Sequence, residues 1–329
     1  MSGVSPDLIE RFRRDLEALT GEAPAPERPL GLAVSGGPDS MALLLLAAAA
    51  FPGAVIAATV DHGLRPEAAG EAAQVAAICA GFGIDHATLT PPPGWEFAGN
   101  VQEGARMLRY AALRLWAEGR APWIAVAHQR DDVAETFLMR ARRGSGVGGL
   151  AAMRRARPLD GAGPMLVRPL LDWNRAELGA VVRCAGMASI DDRSNRDPRF
   201  DRSRIRALIA ESNELVPSRL ARSAQNLRHA EEMIDWAVRR ELPERFLEGG
   251  DGITLVVADS PYELRRRLAR LAIDTLRRDN GLAGPWHDQG LDRLLATLAS
   301  GGTGTIAGVQ ARVVRGKWHF RLAPPRRSH

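Results

Sequence analysis

Lysine is almost missing from this chain. Of its 44 basic side chains only Lys317 is a lysine and the rest are arginine, so the placing of the arginines says more than their number. Cysteine is scarce too: Cys79 and Cys184 are isolated, which excludes a disulfide framework and a CxxC metal site. Aromatic residues make up 5%, and no aromatic-rich base-stacking motif is visible. The longest apolar run, Met41 to Phe51, is too short to span a bilayer. The opening stretch MSGVSPDLIERFRRDLEAL carries acids and has the pattern of an amphipathic helix, not of a signal peptide. The expectation is a soluble, cytoplasmic protein with no membrane partner. Its net charge of +5 permits an anionic partner such as nucleic acid without demanding one.

What is present is a regular alternation. Short apolar runs at Gly31–Val34, Ala54–Val60, Ile84–Leu89 and Trp123–Ala127 have the length of buried strands. Helix-length patterns lie between and after them: Ser40–Phe51, Glu67–Gly81, Val101–Gly119 and about Asp131–Arg142. This pattern predicts α/β architecture, a doubly wound, Rossmann-like parallel sheet with ligands at the carboxyl ends of its strands. Three polar turns each follow a strand: SGGPDS, DHGLR from Asp61 and AHQRDD from Ala127. With 329 residues and about 150 per domain, two domains are expected, residues 1–213 and 214–329. The second is smaller and mostly helical, opening with a long helix near Ser218–Arg240 and including a strand-like ITLVV, an arginine-rich helix and a glycine-rich, strand-like end in VQARVVRGKWHFRL.

The SGGPDS turn joins a buried strand to an alanine-rich helix. That geometry offers backbone N–H groups to phosphate at a helix N-terminus. Gly36 and Gly37 permit close approach, Ser35 and Ser40 add hydroxyls, and Pro38 suits the first helical turn. Asp39 is out of place in a pure phosphate cradle, so it either caps the helix or meets Mg²⁺. No lysine follows, so this is not a Walker loop.

SGGPDS resembles the pyrophosphate loop of the N-type ATP pyrophosphatases, the adenine-nucleotide α-hydrolase-like fold. With VDHGLRPEA (Val60–Ala68), QEGARMLRYAAL (Gln102–Leu113), AHQRDDVAETFLMRARRGSGVGGLAAM (Ala127–Met153), VRPLLDW (Val167–Trp173) and DDRSNRDPRFDRSRIR (Asp191–Arg206), the chain resembles the tRNA(Ile)-lysidine synthetases from about Gly31 to Arg206, as a short family member. The resemblance implies adenylation of C2–O of the wobble cytidine in the CAU anticodon of tRNA(Ile), then attack by free L-lysine, with AMP and pyrophosphate released. ATP is the co-substrate and Mg²⁺ its companion.

The resemblance assigns ATP to Ser35, Gly36, Gly37, Pro38, Asp39, Ser40 and Arg106; Val60, Asp61 and His62, at the end of the second strand, join them, although a lone histidine such as His62 or His128 after a strand is as often a hydrogen-bonded structural group as a catalyst. The resemblance gives chemical roles to Asp39, Arg106, Asp132 and Glu135. Arg106 and Arg109 share a helix face and suit phosphate, or form a solvated basic stripe. Asp132 and Glu135 also share a face. They suit lysine's ammonium, its proton, or Mg²⁺, and equally the dipole at a helix N-terminus. Arg202 and Arg206 match positions that close over the site, with Ser203 where the family usually has asparagine. Arg142 and Arg143, beside the GSGVGG loop, suit RNA phosphates. No metal-ligand cluster is expected, and oligomeric state is left open. Two other readings share this fold: a tRNA thiolation enzyme, for which thiols are wanting, and a non-catalytic RNA-binding relative.

Overall fold

The four apolar runs are strands, and they lie side by side. In a computed structural model the described residues are 3–63, 67–91, 101–151, 153–159, 161, 163–187, 201–282, 284, 286 and 290–324, with residues 101–103 described in backbone only. The motif segments at 64–66 and 191–200 lie outside them. The chain divides into two compact units, Met1–Arg228 and His229–His329. The division falls inside one long helix, Pro217–Arg245, whereas the sequence reading drew its boundary ahead of that helix.

In the first unit β1 (Leu30–Ala33), β2 (Val55–Val60), β3 (Asp85–Leu89), β4 (Trp123–Val126), β5 (Ala156–Pro158) and β6 (Met165–Val167) form a sheet in the order β3-β2-β1-β4-β6-β5. All pairs are parallel except β5 with β6. Strand order reverses between β1 and β4, which makes their carboxyl ends the switch point of the sheet.

Period-two alternation sorts each strand's side chains to two faces. Leu30, Leu32, Trp123 and Ala125 join one apolar cluster, with α1 (Pro6–Thr20), α2 (Pro38–Ala50) and α7 (Arg175–Cys184). Ile124, Val126 and Ala58 join another, with Leu113, Trp116 and Ala117 of α4 (Val101–Ala117). Gly31 is required on that second face: a Cβ there would sit 3.0 Å from the Trp116 ring and 3.2 Å from the Trp123 carbonyl. Helix α2 is buried from Ser40 through Ala48, as befits a helix apolar all round and covered on several sides. The remaining helices of this unit are α3 (Ala68–Gly81), α5 (Arg130–Ala141), α6 (Val147–Leu150) and α8 (Asp201–Glu211). The start of the long helix, α9, packs Ala221 and Ala224 against Val133, Phe137 and Leu171.

The second unit holds a five-stranded antiparallel sheet, β7 (Phe246–Gly249), β8 (Gly252–Leu255), β9 (Thr303–Ile306), β10 (Val309–Val314) and β11 (Lys317–Leu322), in the order β7-β8-β11-β10-β9. VQARVV and KWHFRL alternate apolar and polar residues, and that alternation puts Val309, Ala311, Trp318 and Phe320 into one core with α10 (Tyr262–Asp279) and α11 (Leu291–Ala299). Arg267 clamps Glu231 bidentately at 2.7 and 2.7 Å, the strong form of the guanidinium–carboxylate pair.

Candidate active site

The loop after β1 is closed by its own serines. Ser35 N donates to Ser40 Oγ at 3.1 Å, and Ser40 Oγ donates to the Gly37 carbonyl at 2.9 Å. Gly36 takes φ = 81°, a left-handed value that glycine alone adopts without strain. Gly37 is the N-cap of α2 and Pro38 opens the helix. The first N–H groups of α2 thus have no intrahelical partner and face the crevice.

That crevice is a cavity of about 560 Å³, within the range of small-molecule sites. Ser35, Gly37, Pro38, Asp39 and Ser40 line one side. Ala33, Ala58, Val60, Leu113 and Val126 make an apolar floor, and Arg109, Tyr110, His128, Asp132, Arg175, Arg202 and Arg206 complete the wall. Asp39 Oδ1 is buried without a hydrogen-bond partner. Burial, then the neighbouring Asp132 charge, push its carboxyl up to about 6, against the pull of Arg175, Gln129 and Arg206.

Helix α5 starts with a reciprocal cap. Gln129 Oε1 accepts from Asp131 N at 2.6 Å, and Asp132 Oδ2 accepts from Gln129 N at 3.1 Å. Asp132 therefore caps the helix and also lines the cavity, where its Oδ1 accepts from Arg202 Nη2 at 3.1 Å. Burial raises its pKa, and Arg202 offsets only part of that. Glu135, one turn on and 1% exposed, is engaged differently. Three guanidinium groups converge on it: Arg175 Nη2 at 3.3 Å, Arg202 Nε at 2.9 Å and Arg206 Nε at 2.8 Å. Burial alone would raise its pKa, but the Arg206 hydrogen bonds and the Arg202 charge hold it below the ordinary value.

The sequence reading paired these two acids in one role. The structure separates them, because the i, i+3 spacing leaves Asp132 at the cavity wall and sends Glu135 into the arginine cluster. Held below its ordinary pKa, Glu135 is a weaker proton acceptor than Asp132, whose pKa is raised.

Arg202 and Arg206, four apart on α8, point the same way into this cluster. Arg142 and Arg143 do not reach the cavity. They pair with Asp201, the first residue of α8, at 2.9 and 2.8 Å, and bring its pKa down to about 2. Arg106 is exposed, its guanidinium 5.1 Å from the Tyr110 ring. Arg109, three residues on and exposed as well, lines the cavity. Among the β2-end residues Val60 lines the cavity, while Asp61 Oδ1 accepts from Gly63 N at 2.8 Å and so turns into its own loop. His62 meets Arg109 Nη2 at 3.4 Å. Burial and Arg109 lower its pKa to about 4, so it is neutral at pH 7. Arg175 is absent from the sequence-derived set. Its signal is the capping box N-x-x-E: Asn174 Oδ1 accepts from Glu177 N at 2.8 Å and Glu177 Oε2 from Asn174 N at 2.7 Å, so Arg175 opens α7.

Residues 8–213 match the PP-loop domain family. The chain is 44% identical to the tRNA(Ile)-lysidine synthase of Novosphingobium aromaticivorans over 322 residues, 97% of this chain and 94% of that one. It is 39% identical to that of Zymomonas mobilis over 326 residues, 98% and 97% of the two chains. In fold the first unit's architecture is shared with the U34-tRNA thiolase NcsA of Methanococcus maripaludis, at TM-score 0.53 and 17% identity, over 68% of this chain and 80% of that one. The serine-closed loop before α2, the acids of α5 and the arginines of α8 stand within the matched segment, and the relatives extend along nearly the whole length: the chain belongs to the tRNA(Ile)-lysidine synthase family of PP-loop enzymes.

Proposed function

We propose that the chain joins free L-lysine to C2 of the wobble cytidine in the CAU anticodon of tRNA(Ile). The single observation that carries this is the shared cavity: a phosphate-binding turn, a carboxylate with one buried, unpartnered oxygen and a carboxylate–arginine cluster open onto one space. The cytidine O2 attacks the α-phosphorus of ATP and pyrophosphate leaves. The lysine ε-amine then attacks C2, loses its extra proton, and AMP leaves.

The first N–H groups of α2, with Ser35 and Ser40, receive the pyrophosphate oxygens. The apolar floor of Ala58, Val60, Leu113 and Val126 suits the adenine ring. Arg109 and Arg202 face the charge that grows on the departing phosphates. Asp132 faces the lysine ammonium and takes its proton, with a raised pKa that fits the task. Glu135 holds Arg175, Arg202 and Arg206 in place.

Asp39 Oδ1 is a hard oxygen donor without a protein partner, which fits Mg²⁺. That ion takes one or two carboxylates and completes its shell with water and phosphate. Among the described residues no three potential metal ligands cluster. Asp39, with Asp132 nearby, would hold the ion, and it would neutralise phosphate charge.

Arg142 and Arg143, with the second unit, would meet the tRNA backbone. The thiolation reading wants thiols at the cavity. Cys79 lies in the main apolar cluster with its thiol pushed up to about 11 by burial, and Cys184 closes α7. Among the described residues no helix is long and apolar enough to cross a membrane, and the substrate places the activity in the cytoplasm. The test is product analysis with purified chain, tRNA(Ile), lysine and ATP. AMP and pyrophosphate should form only with tRNA present, and lysidine only with lysine. ADP as the dependent product would refute the mechanism.

A further inference from the structure

His128 has no part in the chemistry assigned so far, yet its ring is held from one side and open to the cavity on the other. It stands two residues past the end of β4, as Ser35 stands two past the end of β1. The parallel register of Ala33 with Val126 sets these turns side by side at the switch point. Its ring lines the cavity beside the phosphate-binding turn.

Behind it lies Arg168, 3% exposed. Arg168 Nε donates to His128 Nδ1 at 3.2 Å and Arg168 Nη1 to the Arg154 carbonyl at 2.6 Å. Among the described residues no carboxylate pairs with Arg168. A guanidinium has five donors, no acceptor, and keeps its proton. His128 Nδ1 is therefore the bare nitrogen, and the one proton of the neutral ring is on Nε2. Nε2 takes no protein partner among the described residues, and it is not among the buried polar atoms left unpartnered, so solvent in the cavity reaches it. Burial, followed by the charges of Arg168, Arg202, Arg106 and Arg109, keeps the ring from becoming a cation.

We propose that His128 is a fixed, neutral N–H donor to a phosphoryl oxygen of the bound nucleotide, and that Arg168 is the positioning residue that sets its tautomer. The inference rests on the ATP-using reaction above. A phosphoryl oxygen is the partner because the donor faces the cradle for pyrophosphate and the local field is cationic. A donor fixed beforehand needs no reorganisation as charge grows on that oxygen. The backbone of bound RNA carries the same phosphoryl chemistry, and the experiment separates the two sources.

The test is long-range ¹H–¹⁵N NMR of the histidine rings in the full chain. The chain has seven histidines, and the His128 signals are those lost in His128→Gln. Nδ1 should show the shift of a bare ring nitrogen and Nε2 that of a protonated one at neutral pH, and the ring should stay neutral at pH values where a free imidazole has become a cation. A non-hydrolysable ATP analogue alone should move the Nε2 signal, and tRNA alone should not. In pyrophosphate release, His128→Leu should lower kcat about 10²-fold, the usual cost of one such donor, with a smaller change in KM for ATP. His128→Gln keeps an acceptor toward Arg168 and an N–H toward the cavity, so it should restore most of that loss. Arg168→Met should let the ring proton distribute over both nitrogens and lower kcat more than it raises KM.

A proton on Nδ1 in the unmodified chain would overturn the proposal, and that measurement needs no variant to fold. So would wild-type kcat in His128→Leu, or an Nε2 signal that moves with tRNA but not with nucleotide. The reaction reading fails separately, if the unmodified chain releases no tRNA-dependent pyrophosphate.

Discussion

Replacing Glu135 by glutamine should unfasten three arginines at once. The Glu135 side chain is 2% exposed, and those of Arg175, Arg202 and Arg206 are 38%, 39% and 33% exposed. Breaking a fully buried pair costs about 3–5 kcal/mol. The arginines here reach solvent and are partly screened, so about 2–3 kcal/mol is expected. For a unit of this size that lowers Tm by about 5–10 °C. The sign with pH follows from the depressed carboxyl. Its stabilisation is complete above the unfolded value of about 4.3 and is lost as pH falls through the folded value, so the two melting curves should converge in acid.

Asp132→Asn is the control. Burial raises the Asp132 pKa, so its charge is a net cost to the folded state at neutral pH, and Asn can still accept from Gln129 N. That variant should lose no more than about 1 kcal/mol, and its balance against the parent should improve as pH rises, while lysine transfer fails. Calorimetry serves for both, the transition of the first unit being the one that ATP shifts upward. A Glu135→Gln protein melting within a degree of the parent, or a gap that persists unchanged into acid, would refute the view that this charge holds the arginines.

Asp39→Asn should abolish adenylation yet stabilise the ligand-free protein at pH 7.5. The raised carboxyl, at about 6, is a penalty present above that pH and gone below the unfolded value of about 3.9, so the gain seen in thermal melts should vanish near pH 3.5; equal stability at pH 7.5 would count against it. Arg142→Gln with Arg143→Gln should lower the slope of log affinity for tRNA against log salt by about 1–2, whereas Asp201→Asn should not weaken binding; an unchanged slope in a titration series would remove these arginines from the RNA surface. A chain ending at Arg228 should stay soluble and bind ATP with little tRNA affinity, while one ending at Asn213 should aggregate, because Ala221 and Ala224 cover Val133 and Leu171; light scattering and nucleotide binding decide between the two.

The sheet was legible because buried strands and helices differ in length and period. Each of the four expected strands is found within a residue or two of its place. The turn after β1 was legible because glycine, proline and serine are used there for backbone reasons that do not depend on distant partners. The division of Asp132 from Glu135 was not: it depends on α8, whose arginines reach back some 70 positions in sequence to meet them. Arg106 against Arg109 was not settled either, since both share a helix face and only the packing of α4 on the sheet chooses between them. His128 was visible in sequence only as a histidine following a strand, structural or functional alike, because its proton position is dictated by Arg168, 40 positions away. In the second unit ITLVV and the glycine-rich end were legible as strand-like, but the order β7-β8-β11-β10-β9 was not, because it rests on pairing β8 with the distant β11, which no local pattern gives.

The strand order β3-β2-β1-β4 also has a kinetic meaning. Strands β1, β2 and β3 pair with their nearest neighbours in sequence, so the phosphate-binding turn can be in place early in folding. Strand β4 must return past two strands to reach the free edge of β1, pairing Leu30 with Trp123, and such distant pairing is slow because loop closure comes before its reward. Only then do His128 and Asp132 arrive opposite Ser35 and Asp39. A refolding chain should thus regain a place for phosphate before it regains the groups that act on it, and recovered activity marks the completion of the sheet, not its beginning.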